Sequence, residues 1–152
     1  DLLRNKENQD EYTDVNVWRP PEEWQKAIHN QFYGKVKLSA VYIRSGNGEQ
    51  KAEWTVPIEH ADNYEVQAYV SDAGLRPRWG RNRERNNVDK LYHYTIFHDE
   101  GEETIPVEVD DREGEWVRLG EYHFSADSAR IQISNNSEAR TVIADAIKLI
   151  RK

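Results

Sequence analysis

From Leu38 onward, apolar and polar residues alternate with a period of two, the pattern of strands with one buried and one wet face. In "AEWTVPI", Ala52, Trp54 and Val56 share a face. In "YEVQAYV", Tyr64, Val66, Ala68 and Val70 stand against Glu65, Gln67 and Tyr69. "LYHYTIFHDEGEETIPVEV" predicts a hairpin that turns at Asp99-Glu100-Gly101. "WVRLGEYHF" alternates through Val117 and Leu119, then through Tyr122 and Phe124. That change of phase across Gly120 predicts a β-bulge. "ARIQIS" and "TVIADAIKLI" supply two more strands.

The chain before Leu38 follows a different pattern. Residues 1 to about 16 are charged and aperiodic, and read as a tail or inter-module linker. "WRPPEEWQKAI" then sets Trp18 and Trp24 around Pro20 and Pro21. Two prolines followed by two acids suit the first turn of a short helix, with Trp24 and Ile28 on one face. The expected division is therefore a linker with a short helical segment over 1–29, and a β domain over 30–152.

About eight strands with short connections spell an all-β fold, an antiparallel two-sheet β-sandwich of jelly-roll type. One connection is long, from Ser71 to about Asp89. Structureless spans beyond ~12 to 15 residues in a compact domain usually carry function or remain disordered.

Composition narrows the possibilities. A chain of 152 residues fits one domain, and its eight Tyr, five Trp and three Phe provide large, stiff core pieces. The net charge of −7 disfavours nucleic acid as a partner. With no cysteine, disulfides, thiolate metal sites and a Cys nucleophile are all excluded. No apolar run approaches the ~20 residues of a membrane span. The chain opens at Asp1 without Met, as a mature fragment or a module of something longer would.

Catalytic signatures are missing. There is no GxSxG, no phosphate-cradling glycine loop and no HExxH, and "SGNGEQK" reads as a turn. His93 and His98, five apart on a predicted strand, face opposite sides of the sheet. Asp110 and Asp111 between two strands read as a solvated turn, although a calcium ion held partly by carbonyls would leave little trace in a sequence. No enzyme activity, metal or cofactor is expected. Asp145, inside an apolar strand, is expected to tie a neighbouring strand or loop through backbone N–H groups or an arginine, since a buried carboxylate needs partners. Trp54 and Trp116 are expected to be structural as well.

The long connection, "GLRPRWGRNRERNN", is the candidate ligand-binding segment. Arg76, Arg78, Arg81, Arg83 and Arg85 surround Trp79. Guanidinium forks match carboxylate and sulfate geometry, and an exposed indole stacks on a sugar ring.

The closing stretch "GEWVRLGEYHFSADSARIQISNNSEARTVIADAIKLI" resembles that of golvesin C-terminal-like domains, also described as xanthan-lyase carbohydrate-binding-like domains. The matching pieces are Trp116 to Gly120, Tyr122 to Phe124, Ile131 to Asn135 and Val142 to Ala146. Upstream, "QFYGKVKLSAVYIRSGNGEQKAEWTV", "ADNYEVQAYV" and "YHYTIFHDEG" are similar to the variant common in Bacteroidetes surface proteins. The resemblance covers about residues 30 to 151. It implies a non-catalytic β-sandwich module of a larger exported bacterial protein, extracellular, at the cell surface or periplasmic. The expected partner is a polysaccharide; the alternative is a neighbouring domain or subunit of a surface assembly. The resemblance assigns no ligand residues.

Overall fold

Alternation becomes strand wherever one face has a core to cover. The computed structural model describes residues 19–28, 32–33, 39–72, 90–110, 112–125 and 127–152. Within them run ten strands: β1 (Gln25–Ile28), β2 (Ser39–Arg44), β3 (Lys51–Pro57), β4 (Asp62–Ser71), β5 (Leu91–His98), β6 (Gly101–Glu108), β7 (Glu113–Phe124), β8 (Ser128–Ser134), β9 (Thr141–Ala144) and β10 (Ile147–Arg151). They form three antiparallel sheets, in the orders β1-β2-β9, β10-β4-β7 and β3-β8-β5-β6. No helix occurs among the described residues, so none is long and apolar enough to cross a membrane.

The inner faces meet in one core. Val66, Ala68 and Val70 of β4 share it with Tyr92, Tyr94 and Ile96 of β5, Ile131 and Ile133 of β8, and Val142 and Ile143 of β9. Specific bonds join the sheets across it. The Tyr92 hydroxyl on β5 donates to the Thr141 carbonyl of β9 and accepts from Ile143 N–H. The His98 ring lies 4.7 Å from the Tyr122 ring of β7. Asn135, after β8, accepts from the backbone N–H groups of Gly48 and Gln50, which secures the turn before β3.

The expected hairpin forms with His98 opposite Gly101, so Asp99 and Glu100 make a two-residue turn. The expected bulge forms too. Val66 faces Gly120 while Gln67 faces Arg118, which leaves Leu119 as the extra residue. Trp116 and Arg118 before the bulge, and Glu121 and His123 after it, therefore all face outward. Gly120 also lies under an aromatic ring: a Cβ there would come 2.6–2.9 Å from three atoms of the Tyr122 side chain. Tyr122 is itself buried and cannot swing aside freely. Gly120→Ala is expected to cost about 1–3 kcal/mol, as overpacking does, read from the urea midpoint.

The short N-terminal helix is corrected. Gln25–Ile28 is a strand, with Gln25 opposite Tyr42 and Ile28 opposite Ser39 of β2. A helix of seven or so residues is marginal in water, and the open edge of β2 offers backbone partners instead. The pairing reaches back to Pro21, whose carbonyl accepts the Arg44 N–H at 2.6 Å. Ala27 is buried and Trp24 packs on the core. Tertiary pairing overrode a local helix signal.

Candidate functional site

The two outer sheet faces differ in character. On β3-β8-β5-β6 the outward side chains satisfy one another. Glu53 Oε1 accepts from Arg130 Nε at 2.8 Å and from Gln132 Nε2 at 3.0 Å. The Thr95 and Thr104 hydroxyls pair at 3.0 Å, and the Arg130 guanidinium covers the Phe97 ring at 4.0 Å. This is a closed polar ladder, as expected of a solvated sheet.

On β10-β4-β7 the outward face carries an aromatic cluster. Tyr69 and Trp116 stand directly opposite each other on β4 and β7, with ring centroids 5.2 Å apart at 72°. Tyr33, from the segment before β2, completes the trio at 5.4 Å from Tyr69 and 5.2 Å from Trp116. The two Trp116 contacts are edge-to-face, at 72° to Tyr69 and 65° to Tyr33, which ring quadrupoles favour. Lys148 of β10 reaches across β4 and sets its ammonium 4.3 Å from the Trp116 ring centroid. Tyr33 remains 53% exposed.

Hydrogen-bonding groups continue the face. Glu65 accepts from Gln67 Nε2 at 2.6 Å and from Arg118 Nε at 2.9 Å, with Lys152 Nζ at 3.7 Å. The Gln67 and Arg118 hydrogen bonds hold the Glu65 carboxyl below its usual range. Gln67 pairs across the strands with both Arg118 and Lys148. A polar row thus adjoins the aromatic one.

Trp54 and Trp116 separate clearly. Trp54 packs on the core, stacks on Tyr94 at 6.2 Å, and donates its indole N–H to the Asp145 carbonyl at 3.1 Å. Trp116 does not pack on the core; its partners are Tyr33, Tyr69 and Lys148. Asp145 lies in the break between β9 and β10 rather than within a strand. Its Oδ2 accepts the backbone N–H of Tyr33 at 3.0 Å. Arg76, Arg78, Trp79, Arg81, Arg83, Arg85 and Asp111 lie outside the described residues. Among the described residues no group of three or more His, Cys, Asp or Glu is placed to hold a metal ion.

Burial pushes the Asp145 carboxyl up to about 7, and the Tyr33 N–H only partly opposes that. Between its ordinary value and about 7, the folded chain holds this proton while the unfolded chain has released it. Stability from this residue is therefore full in acid and lost as pH rises towards 7. Asp62 and Asp99 act in the opposite sense. Arg151 lowers Asp62, and Ser125 lowers Asp99, so their stabilisation is lost in acid. Asp145→Asn, which keeps an acceptor for Tyr33, is expected to remove the loss between about pH 4 and 7, compared by thermal midpoints with the parent chain.

Comparison with solved structures finds the same fold in a Podospora anserina GH26-CBM35 β-(1,4)-mannanase, with a TM-score of 0.53 and 14% identity. The match covers 88% of this chain and 27% of that one. At that identity the likeness concerns the fold, and function has to be sought in the site. No curated protein matches this chain. The golvesin C-terminal domain family matches residues 10–151, which span every strand described above. The chain belongs to the golvesin C-terminal domain family.

Proposed function

We propose that this domain is a non-catalytic accessory module of a larger exported protein, and that it binds polysaccharide on the outer face of β10-β4-β7. The observation that carries this reading is the Tyr33–Tyr69–Trp116 cluster, three rings gathered on a wet sheet face. Aromatic rings offer apolar surface to the C–H faces of pyranoses. The adjoining Gln67, Glu65, Arg118 and Lys148 offer donors and acceptors to hydroxyl groups. Among the described residues the opposite outer face has no comparable cluster of rings.

The arginine-rich span keeps its proposed role as a ligand-binding segment. It follows β4 directly, and Tyr69 lies two residues before the end of that strand. Its arginines would pair with acidic sugar groups and Trp79 would stack, so affinity for acidic glycans would weaken with salt.

Retardation of the domain in gels containing soluble polysaccharides, together with a broad glycan array, tests the reading. Binding to none of them would sink it. The domain would then be read as a docking module, its aromatic cluster covered by a neighbouring domain or subunit.

A further inference from the structure

A second concave feature lies away from the outer face. Side chains of β1, β2, β3 and the β9–β10 break enclose a depression of about 300 Å³. Ala40, Ala52 and Ala144 keep its walls low, Trp54 forms a broad aromatic side, Asp145 supplies a carboxylate, and Lys26 and Glu53 also line it. That volume is at the bottom of the range for small-molecule sites, ~300 to 1,000 Å³, which suits one ring rather than an extended ligand.

Three features of the lining define the ligand. Trp54 is fixed, because its N–H is engaged by the Asp145 carbonyl and its ring stacks on Tyr94. A fixed indole makes a firm apolar surface at little entropic cost. Glu53 is already satisfied by Arg130 and Gln132. Asp145 is not. Among the described residues its carboxylate takes one hydrogen bond, from Tyr33 N–H, although a carboxylate has about four acceptor positions. Its burial without matching donors leaves it in want of O–H or N–H groups. Once ionised, Asp145 together with Lys26 of β1 leaves the depression without a net positive charge to recruit an anion.

We propose that this depression is a second ligand site that takes one neutral polyhydroxylated ring, a terminal hexopyranose in size and chemistry, with Asp145 accepting its hydroxyls and Trp54 carrying its C–H face. Its lining residues are not those of the outer-face cluster, although the Asp145–Tyr33 hydrogen bond makes the two sites neighbours.

The ligand's hydroxyls favour the ionised carboxylate, so binding draws off the Asp145 proton and tightens as pH rises through neutrality. Among the described residues, Lys26 of β1 and Glu53 of β3 line the same depression, and the Tyr94 phenol of β5 interacts with Asp145. The Tyr94 phenol is pushed up by burial and stays protonated throughout that range.

The test is an NMR titration of the whole chain with methyl β-D-glucopyranoside and methyl α-D-mannopyranoside at millimolar concentration. Glucuronate is the anionic comparator. At least one neutral glycoside is expected to shift the Trp54 indole N–H and the Ala144 and Asp145 amides. Asp145→Asn, which keeps the acceptor for Tyr33, is expected to weaken binding about tenfold and flatten its pH dependence. Ala52→Leu fills the depression and abolishes binding. Thermal midpoints establish that each variant is folded. The proposal is overturned if no probe moves the Trp54 indole, if shifts are confined to Tyr69 and Trp116, or if glucuronate binds more tightly than both neutral glycosides.

Discussion

Tyr92→Phe is expected to destabilise the fold by about 2–6 kcal/mol, although it removes a single oxygen atom. Among the described residues β9 ends its sheet, with β2 on one side and no strand on the other. Thr141 and Ile143 are two apart on β9, so their backbone groups can point the same way. The Tyr92 hydroxyl meets both, donating to the Thr141 carbonyl at 3.0 Å and accepting the Ile143 N–H at 3.2 Å. It stands where the peptide of a neighbouring strand would stand. Phenylalanine would fill nearly the same volume and leave two buried backbone groups without a partner, at ~1–3 kcal/mol each. Tyr94 provides the comparison. It is equally buried on β5, yet its hydroxyl makes no hydrogen bond to the described residues. Tyr94→Phe is expected to cost less than about 1 kcal/mol. Equal losses for the two variants in urea unfolding would show that the hydroxyl bridge contributes nothing.

Period-two alternation carried most of the fold because it reports burial directly. β4, β5 and β8 bury the residues that alternation marks, and the hairpin and bulge followed from residues with local geometric meaning, Gly101 and Gly120. β1 was misread because Pro20, Pro21, Glu22 and Glu23 signal a helix start locally. The partner that makes the segment a strand lies more than ten residues further along, in β2. Asp145 was visible as an anomaly in an apolar run. That the run breaks at Asp145, so that the carboxylate takes the Tyr33 N–H, depends on chain more than a hundred residues away.

The aromatic cluster was partly legible. Tyr69 falls in the polar phase of its strand with Glu65 and Gln67, and Trp116 falls out of phase with Val117 and Leu119. A large ring where a strand should be wet is a signal in itself. Their pairing across β4 and β7, and the arrival of Tyr33 over both, come only from register and tertiary packing. The arginine-rich span drew notice through composition, which states what a segment could bind but not where it sits.

Trp116→Ala is the sharpest test of what the outer face does. Trp116 touches both other rings and lies under the Lys148 ammonium, so it is the hub of the cluster. Truncating a central aromatic at a binding surface commonly costs 2 kcal/mol or more, which is about a thirtyfold loss of affinity. The same truncation should disturb folding far less, since Trp116 does not pack on the core. A loss of about 1 kcal/mol is expected, for the ring and cation contacts that disappear. Trp116→Phe keeps a ring in place and should retain most of the affinity. Phe97→Ala removes an outward ring from the opposite face and should leave binding unchanged. Because stability and affinity are expected to diverge in Trp116→Ala, gel retardation and thermal midpoints read on the same variants separate a ligand surface from a structural one. If both fall in proportion, or if Phe97→Ala weakens binding as much, the outer face of β10-β4-β7 is not where the polysaccharide docks.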